Sequence, residues 1–150
     1  MEVVAAASSI AGILSLTIQC LQLISGLETF CQGFGKKAAK AFLLDLKTSA
    51  SVLNDVQELC ERIGNAENSP IGRARMKLLH AHLADCANDL ESWLNLTHRL
   101  QMSEINRCHT VKELFGRFMR AINTSAQMEV KDRFRYHQEN IKMSLAMIGR

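Results

Sequence analysis

Two short motifs in this 150-residue chain contain residue types that bind metal ions or phosphate. His80 and His82 lie close to Cys86, but residues two apart on a helix point to different sides, and Cys86 belongs to an apolar stripe. Gly33 and Gly35 flank a single phenylalanine, without the lysine and the spacing of a phosphate-binding loop. We therefore expect no metal site and no bound phosphate group.

The remaining residues with catalytic potential are isolated from one another. His98, His109 and His137 have no acid or nucleophile at a regular spacing beside them. Ser8 and Ser9 lie in an apolar segment, where hydroxyls serve packing or capping rather than nucleophilic attack. No pair of carboxylates stands alone on an apolar face, as a general acid and base would. These observations predict no catalytic residue, no cofactor and no small-molecule substrate, and hence a protein that is not an enzyme.

The composition favours helices over strands. Proline occurs once, glycine eight times, and aromatic residues make up 5% of the chain. Good helix formers fill most of the length, and no run of alternating β-branched residues is present. We therefore predict an all-α protein, and a chain of 150 residues is long enough to form one domain, residues 1–150, with a real core.

Cysteine usage indicates a reducing compartment. The chain has five cysteines, an odd number, and no C-x-x-C pair. No lysine or arginine precedes the apolar run that follows Glu2, so a secretory signal peptide is not indicated. Both observations predict an intracellular protein without a disulfide framework.

Glycine, proline and polar breaks divide the chain into five predicted helices. Apolar residues recur within them at alternating spacings of four and three, which places these residues on one face of each helix. The predicted bounds are Met1–Leu27, Lys36–Ile63, Ile71–Met102, Thr110–Ile122 and Ala126–Ile148. We expect the long second and third helices to pack antiparallel as the spine of the bundle. The residues expected in the core are Leu46, Leu53, Leu83, Leu90 and Trp93.

The first predicted helix has no charged residue between Val3 and Leu27. As a helix this segment is about 37 Å long, enough to cross a hydrocarbon core of about 30 Å. Small and polar residues form a stripe along one side: Ser8, Gly12, Ser15, Gln19 and Gln22. The opposite, apolar side carries Ile10, Ile13, Leu14, Leu21, Ile24 and Leu27. The interior of a helical bundle and a lipid bilayer both fit this pattern.

Basic residues follow the apolar helix directly. Lys36, Lys37 and Lys40 open the second predicted helix, and the whole chain carries a net charge of +3. Such lysines either lie on a solvated helix face or contact the head groups of anionic lipids. No aromatic residues interleave with a dense basic stripe, so binding to nucleic acid is not expected.

Four segments resemble one known family. They are the opening MEVVAAASSIAGIL, the stretch LLDLKTSASVLNDV from Leu43 to Val56, and the late VKELF at Val111 with RFRYHQENIKMSL from Arg133. Together they resemble the HeLo-like domains found at the N-termini of fungal NOD-like (STAND) receptors, and the likeness extends over the whole chain. The executioner bundle of mammalian necroptosis is a more distant likeness.

The resemblance implies a membrane-targeting, cell-death-inducing domain at the start of a longer protein of fungal innate immunity. In such a domain the N-terminal helix leaves the bundle on homo-oligomerisation and inserts into the plasma membrane, so a cytoplasmic protein moves to anionic lipids. Here the inserting segment would be Val3 to Leu27. One departure is that no acidic residue lies between Glu2 and Glu28, which argues against a charged ring inside the membrane.

A non-enzymatic adaptor or oligomerisation module is the alternative. In that case the first helix stays in the core, and exposed faces bind like domains or a partner. The fifth predicted helix motivates this alternative, because its apolar stripe runs from Val130 to Ile148 and is still unclosed near Arg150.

Overall fold

The computed structural model describes residues 10–32, 34, 37–63, 70–104, 111–126 and 129–148. Within these ranges the chain forms helices and no strand, so the predicted all-α bundle of five helices is confirmed. The helices are α1 (Ile10–Gln32), α2 (Lys37–Ile63), α3 (Pro70–Glu104), α4 (Val111–Ala126) and α5 (Val130–Ile148).

Four of the helices surround a common core. α1 packs against α2 and α3, and α5 packs against the same two helices from the other side. α4 packs against α3 and α5. The two longest helices, α2 and α3, therefore lie diagonally across the core. These two helices meet through side chains such as Phe42 and Trp93, whose ring centroids are 6.4 Å apart, whereas their backbones lie closer to α1 and α5 than to each other.

Contacts between helices give their directions. The pairs that approach each other are Cys20 with Leu83, Gly26 with Leu94, Phe42 with Phe134, Ser49 with Gln138, Asp89 with Arg133 and Arg75 with Met147. Accordingly α1 runs parallel to α3, α2 runs parallel to α5, and α5 runs antiparallel to α3. The two long helices thus have the predicted opposite directions.

The core follows the predicted stripes and has an aromatic end. Leu46, Leu53, Leu83, Leu90 and Trp93 are all buried, as predicted. All six phenylalanines of the chain and its one tryptophan contact one another where α1 ends, α2 and α5 begin and α4 covers the bundle. Each such aromatic pair contributes about 0.5–1.5 kcal/mol beyond the burial of its surface. This aromatic cluster therefore joins all five helices.

The end of α1 differs from the prediction. The helix passes through Gly26 and Leu27 and ends at Gln32. A Cβ atom at Gly26 would lie 3.0 Å from Cδ1 of Leu94, so the missing side chain allows α1 to approach α3 closely. Glycine here serves helix packing, whereas the sequence pattern suggested a helix stop. Residues 1–9, which include the predicted start, lie outside the described residues.

The junction of α4 and α5 also differs from the prediction. The segment from Asn123 to Ser125 was expected to break the helix, but α4 continues through it to Ala126. The Asn123 side chain reaches forward, and its Oδ1 accepts a hydrogen bond of 2.9 Å from the backbone N–H of Val130, the first residue of α5. An asparagine inside one helix thus satisfies a free amide at the start of the next.

Candidate functional site

The first helix has the length and composition of a membrane span. Its 23 residues make a rod of about 34 Å, and Glu28 is its only charged residue. Among the described residues, α1 is the one helix long and apolar enough to cross a membrane. Core helices of other bundles pass the same test, so the way in which α1 contacts its neighbours is informative.

One narrow stripe of α1 is buried in the bundle. Seven of its 23 residues are buried: Ile13, Thr17, Cys20, Ile24, Leu27, Phe30 and Cys31. Of the six residues predicted on the apolar face, Ile13, Ile24 and Leu27 belong to this stripe, whereas Ile10, Leu14 and Leu21 are half-buried at its edges. Ile18, farther around the helix, is 46% exposed. The bundle therefore covers only part of the apolar surface of α1.

The predicted polar stripe faces solvent. Ser15, Gln19 and Gln22 are exposed and Gly12 is half-buried, while Ser8 lies outside the described residues. The exposed side chains of Ser15, Gln19 and Gln22 can therefore meet water or another copy of the chain.

Two threonines of α1 are satisfied within the helix itself. Thr17 is buried, and its hydroxyl donates a hydrogen bond of 2.7 Å to the carbonyl oxygen of Ile13, one turn earlier. The Thr29 hydroxyl donates in the same way to Ser25, at 3.0 Å. Because donor and acceptor belong to the same helix, these bonds persist in any environment of α1, and the hydroxyls need no partner from the surroundings.

The two ends of α1 are held unequally. Toward its C-terminal end Phe30 enters the aromatic cluster, with ring centroids 5.0 Å from Phe34 and 5.1 Å from Phe118. The buried residues of the N-terminal half are Ile13, Thr17 and Cys20, which are smaller. Less apolar surface is thus buried per turn at the N-terminal end, and the C-terminal end is the anchored one.

Basic residues lie at the start of α2 and on the neighbouring α5. Lys37 and Lys40 are exposed in the first turns of α2, whereas Lys36 lies outside the described residues. On the neighbouring α5, the charges of Lys131 and Arg135 act on Asp45 of α2: burial raises the pKa of this carboxyl, and the two cations partly offset the rise. α5 therefore brings two basic residues close to α2 at Asp45, which sequence spacing did not reveal.

A cluster of charged residues joins α3 to α5. A single oxygen of Asp89, Oδ2, accepts hydrogen bonds from Nε of Arg133 at 2.9 Å, from Nη2 of Arg133 at 2.6 Å and from Nε2 of His137 at 2.6 Å. Asp85, one turn earlier on α3, is 3.9 Å from both Arg133 and His137. We call these four residues the charged clamp.

The charged clamp corrects the expectation that His137 has no acid beside it. Burial alone would raise the pKa of Asp89, but hydrogen bonds from His137 and Arg133, and their charges, bring it below its usual value. In the sequence the signal is two pairs at a spacing of four, Asp85 with Asp89 and Arg133 with His137. Each pair marks one helix face, but only the antiparallel packing of α3 on α5 shows that the faces meet.

The described residues form no cluster of metal ligands, and the concavity found along α3 is open. In the described part of the chain, no three His, Cys, Asp or Glu side chains come together as a metal site requires. A shallow concavity follows α3 and is lined by Asn88, Glu91, Ser92, Asn95, His98 and Arg99. All six belong to one helix, and no other described residue lines the concavity.

Comparison with protein-family models, with curated proteins and with solved structures finds no match.

Proposed function

We propose that this chain is a membrane-inserting effector domain whose α1 leaves the bundle and enters the bilayer. The observation that carries the proposal is the incomplete burial of α1. The helix contains ten Leu, Ile and Phe residues, of which only Ile13, Ile24, Leu27 and Phe30 are buried. A bilayer would remove the other six from water as well.

The free energies that favour and oppose insertion of α1 are of similar size, as expected for a helix that moves between two environments. Each Leu, Ile or Phe contributes about −0.3 to −0.6 kcal/mol at the centre of a membrane helix, so ten give about −3 to −6 kcal/mol. Gln19 and Gln22 oppose insertion, as does the loss of the contacts of α1 with α2 and α3. A single copy is therefore poorly suited to insertion, and a further contribution is needed.

Oligomerisation supplies that contribution. Ser15, Gln19 and Gln22 lie on one exposed side of α1, so several inserted copies would turn these side chains toward one another, away from lipid. The lysines at the start of α2, Lys37 and Lys40, would then lie at anionic head groups, each contributing about 1 kcal/mol. The resemblance to fungal HeLo-like domains supports the same mechanism and suggests cell death as its outcome.

A matched pair of variants tests the proposal. Ile18→Lys and Leu44→Lys each replace an exposed apolar residue, 46% and 64% exposed, by the same cation on α1 and α2 respectively. Lysine at the centre of a membrane helix costs about 3–4 kcal/mol relative to isoleucine, or about 100- to 1,000-fold in the inserted population. The assay is dye release from vesicles of anionic lipid, with circular dichroism as the check of folding.

We expect Ile18→Lys to lose dye release and Leu44→Lys to retain it. Both variants gain the same positive charge, which favours binding to the vesicles, so a loss confined to Ile18→Lys cannot come from weaker attraction. Equal dye release by the two variants, or none from the wild-type chain at any concentration, would refute insertion of α1.

An adaptor module is the second candidate. The continuous apolar stripe of α5 does not support it, since Val130, Phe134, Ile141 and Ile148 are buried within the bundle. Tyr136, Met143 and Met147 are exposed on the other side of α5 and favour a partner there. In that case the wild-type chain would release no dye and would self-associate in light scattering, and Met143→Lys would abolish the association.

A further inference from the structure

Two thiols meet in the interface between α1 and α3. Cys20 and Cys86 are 0% and 4% exposed, and the Cys20 thiol, acting as a hydrogen-bond partner, raises the pKa of the Cys86 thiol. The Cys20 thiol donates in turn to the carbonyl oxygen of Leu83, with the sulfur 3.7 Å from the oxygen. Leu83 and Cys86 are one turn apart on α3, so both lie on the face of α3 that packs against Cys20 of α1.

The position of the pair along α1 gives it mechanical importance. Cys20 is the last buried residue of the N-terminal half, between the buried Ile13 and Thr17 and the end that Phe30 anchors in the aromatic cluster. A covalent bond at Cys20 would therefore hold the part of α1 that the bundle covers least.

We propose that Cys20 and Cys86 form a redox modification site, at which hydrogen peroxide converts the two thiols into a disulfide that fixes α1 on α3. The pairing is a property of the bundle alone. Its consequence, a domain that cannot release α1, rests on the function proposed above. The site would make membrane insertion conditional on a reducing environment.

The reaction balances with one peroxide for each pair of thiols. One thiol gives up its proton, its sulfur attacks a peroxide oxygen, the O–O bond breaks and water leaves, which produces a sulfenic acid. The second thiol then attacks that sulfur, the S–O bond breaks, a second water leaves and the disulfide forms. Two electrons pass from the sulfurs to the peroxide, and a dithiol reductant reverses the change by thiol–disulfide exchange.

The surroundings predict that this oxidation is slow in the folded bundle. The hydrogen bond to Cys20, burial and the nearby carboxylates of Asp89 and Asp85 all raise the pKa of the Cys86 thiol, which therefore stays protonated. The oxidation is consequently followed to its end point, when the number of free thiols no longer falls.

Peptide mapping distinguishes this pair from the other cysteines. Cys31 and Cys60 lie in the last turns of α1 and α2, and Cys108 lies outside the described residues. The full 150-residue chain is treated with excess hydrogen peroxide, free thiols are blocked, and the digest is analysed by mass spectrometry without reduction. We expect one peptide pair joined through Cys20 and Cys86, lighter by two hydrogens than the separate peptides.

Two further measurements connect the disulfide with α1. In the oxidised chain, amide hydrogen exchange of α1 should slow relative to the reduced chain, and dye release from anionic vesicles should be lost and then restored by dithiothreitol. Cys86→Ala and Cys20→Ser, each checked by circular dichroism, should retain dye release after the same peroxide treatment. Two variants from opposite helices ensure that misfolding of one leaves the comparison intact.

Each outcome bears on the proposal. A linked peptide pair with slower exchange in α1 supports the site even if the reduced chain releases no dye, in which case only the proposed membrane function fails. The proposal would be overturned if Cys20 and Cys86 end as unlinked thiols, as separate sulfinic or sulfonic acids, or in disulfides with other cysteines. A Cys20–Cys86 link that leaves both exchange and dye release unchanged would overturn the locking role.

Discussion

The charged clamp allows a comparison between two aspartates that share their partners. Asp89 and Asp85 are one turn apart on α3, and both face Arg133 and His137 of α5. Asp89 is 2.6 Å from each partner and its side chain is 26% exposed, whereas Asp85 is 3.9 Å away and 45% exposed. Replacing each by alanine therefore changes the same chemical group at two distances.

The distances predict unequal losses of stability. Asp89→Ala leaves the buried His137 without its acceptor and removes two hydrogen bonds of Arg133, which is itself partly exposed and able to turn toward water. Allowing for that exposure, we expect a loss of about 2–4 kcal/mol. Asp85→Ala removes a longer and more solvated interaction, for which about 0–1 kcal/mol is expected.

Thermal and urea unfolding at neutral pH measure both losses. For a chain of this size about 1 kcal/mol corresponds to about 2–4 °C, so the midpoint of Asp89→Ala should fall by about 5–15 °C and that of Asp85→Ala by less than about 4 °C. Equal shifts for the two variants would show that distance to Arg133 and His137 does not determine the contribution.

Unfolding measured at decreasing pH provides a second test, because the pKa of Asp89 is lowered in the folded state. A carboxyl with a lowered pKa stabilises the fold fully above its unfolded pKa of about 3.9 and loses this contribution as the pH falls through the folded value. The stability gap between the wild type and Asp89→Ala should therefore persist from neutral pH to about pH 4 and close below it. A gap that stays open in stronger acid would contradict the assignment.

Four smaller changes follow from local geometry, and urea unfolding checks each of them. Ser144→Ala should stabilise the bundle by about 1–2 kcal/mol, because it removes a buried hydroxyl without a hydrogen-bond partner and introduces a better helix former; a destabilised variant would indicate that the hydroxyl is bonded. Gly116→Ala should stabilise by up to about 1 kcal/mol, since nothing lies within 4 Å of the new Cβ, whereas Gly26→Ala should gain less because Leu94 lies 3.0 Å away. Asn123→Ala should cost about 1 kcal/mol through the lost bond to the amide of Val130, and no change would show that water replaces it.

The sequence is informative where structure depends on local spacing. Alternating spacings of four and three correctly place Leu46 and Leu53 of α2, and Leu83 and Leu90 of α3, in the core. A helix turns by a fixed angle per residue, so a stripe of apolar residues identifies the buried face without knowledge of what covers it. That is why the number of helices and their buried faces are predictable here.

Features that join distant segments are not visible in spacing. Gly26 has the signature of a helix stop, and only the approach of Leu94 on α3 explains why the helix continues through it. Similarly, His137 is 48 residues from Asp89, and their contact depends on the antiparallel packing of α5 on α3. The diagonal placement of α2 and α3 is likewise not predictable from spacing, because apolar stripes do not specify which helices are neighbours.

The contacts of the remaining helices bear on whether α1 is able to leave. α5 packs on both α2 and α3, and the charged clamp joins α3 to α5 without any residue of α1. In the aromatic cluster, Phe42, Trp93 and Phe134 contact one another across α2, α3 and α5, so these contacts do not require Phe30. On the proposed mechanism, α2, α3 and α5 would therefore stay joined when α1 inserts. The apolar groove that α1 vacates between α2 and α3 is then the part that must be covered, by lipid or by a second copy of the chain, because exposed apolar surface of that extent favours association.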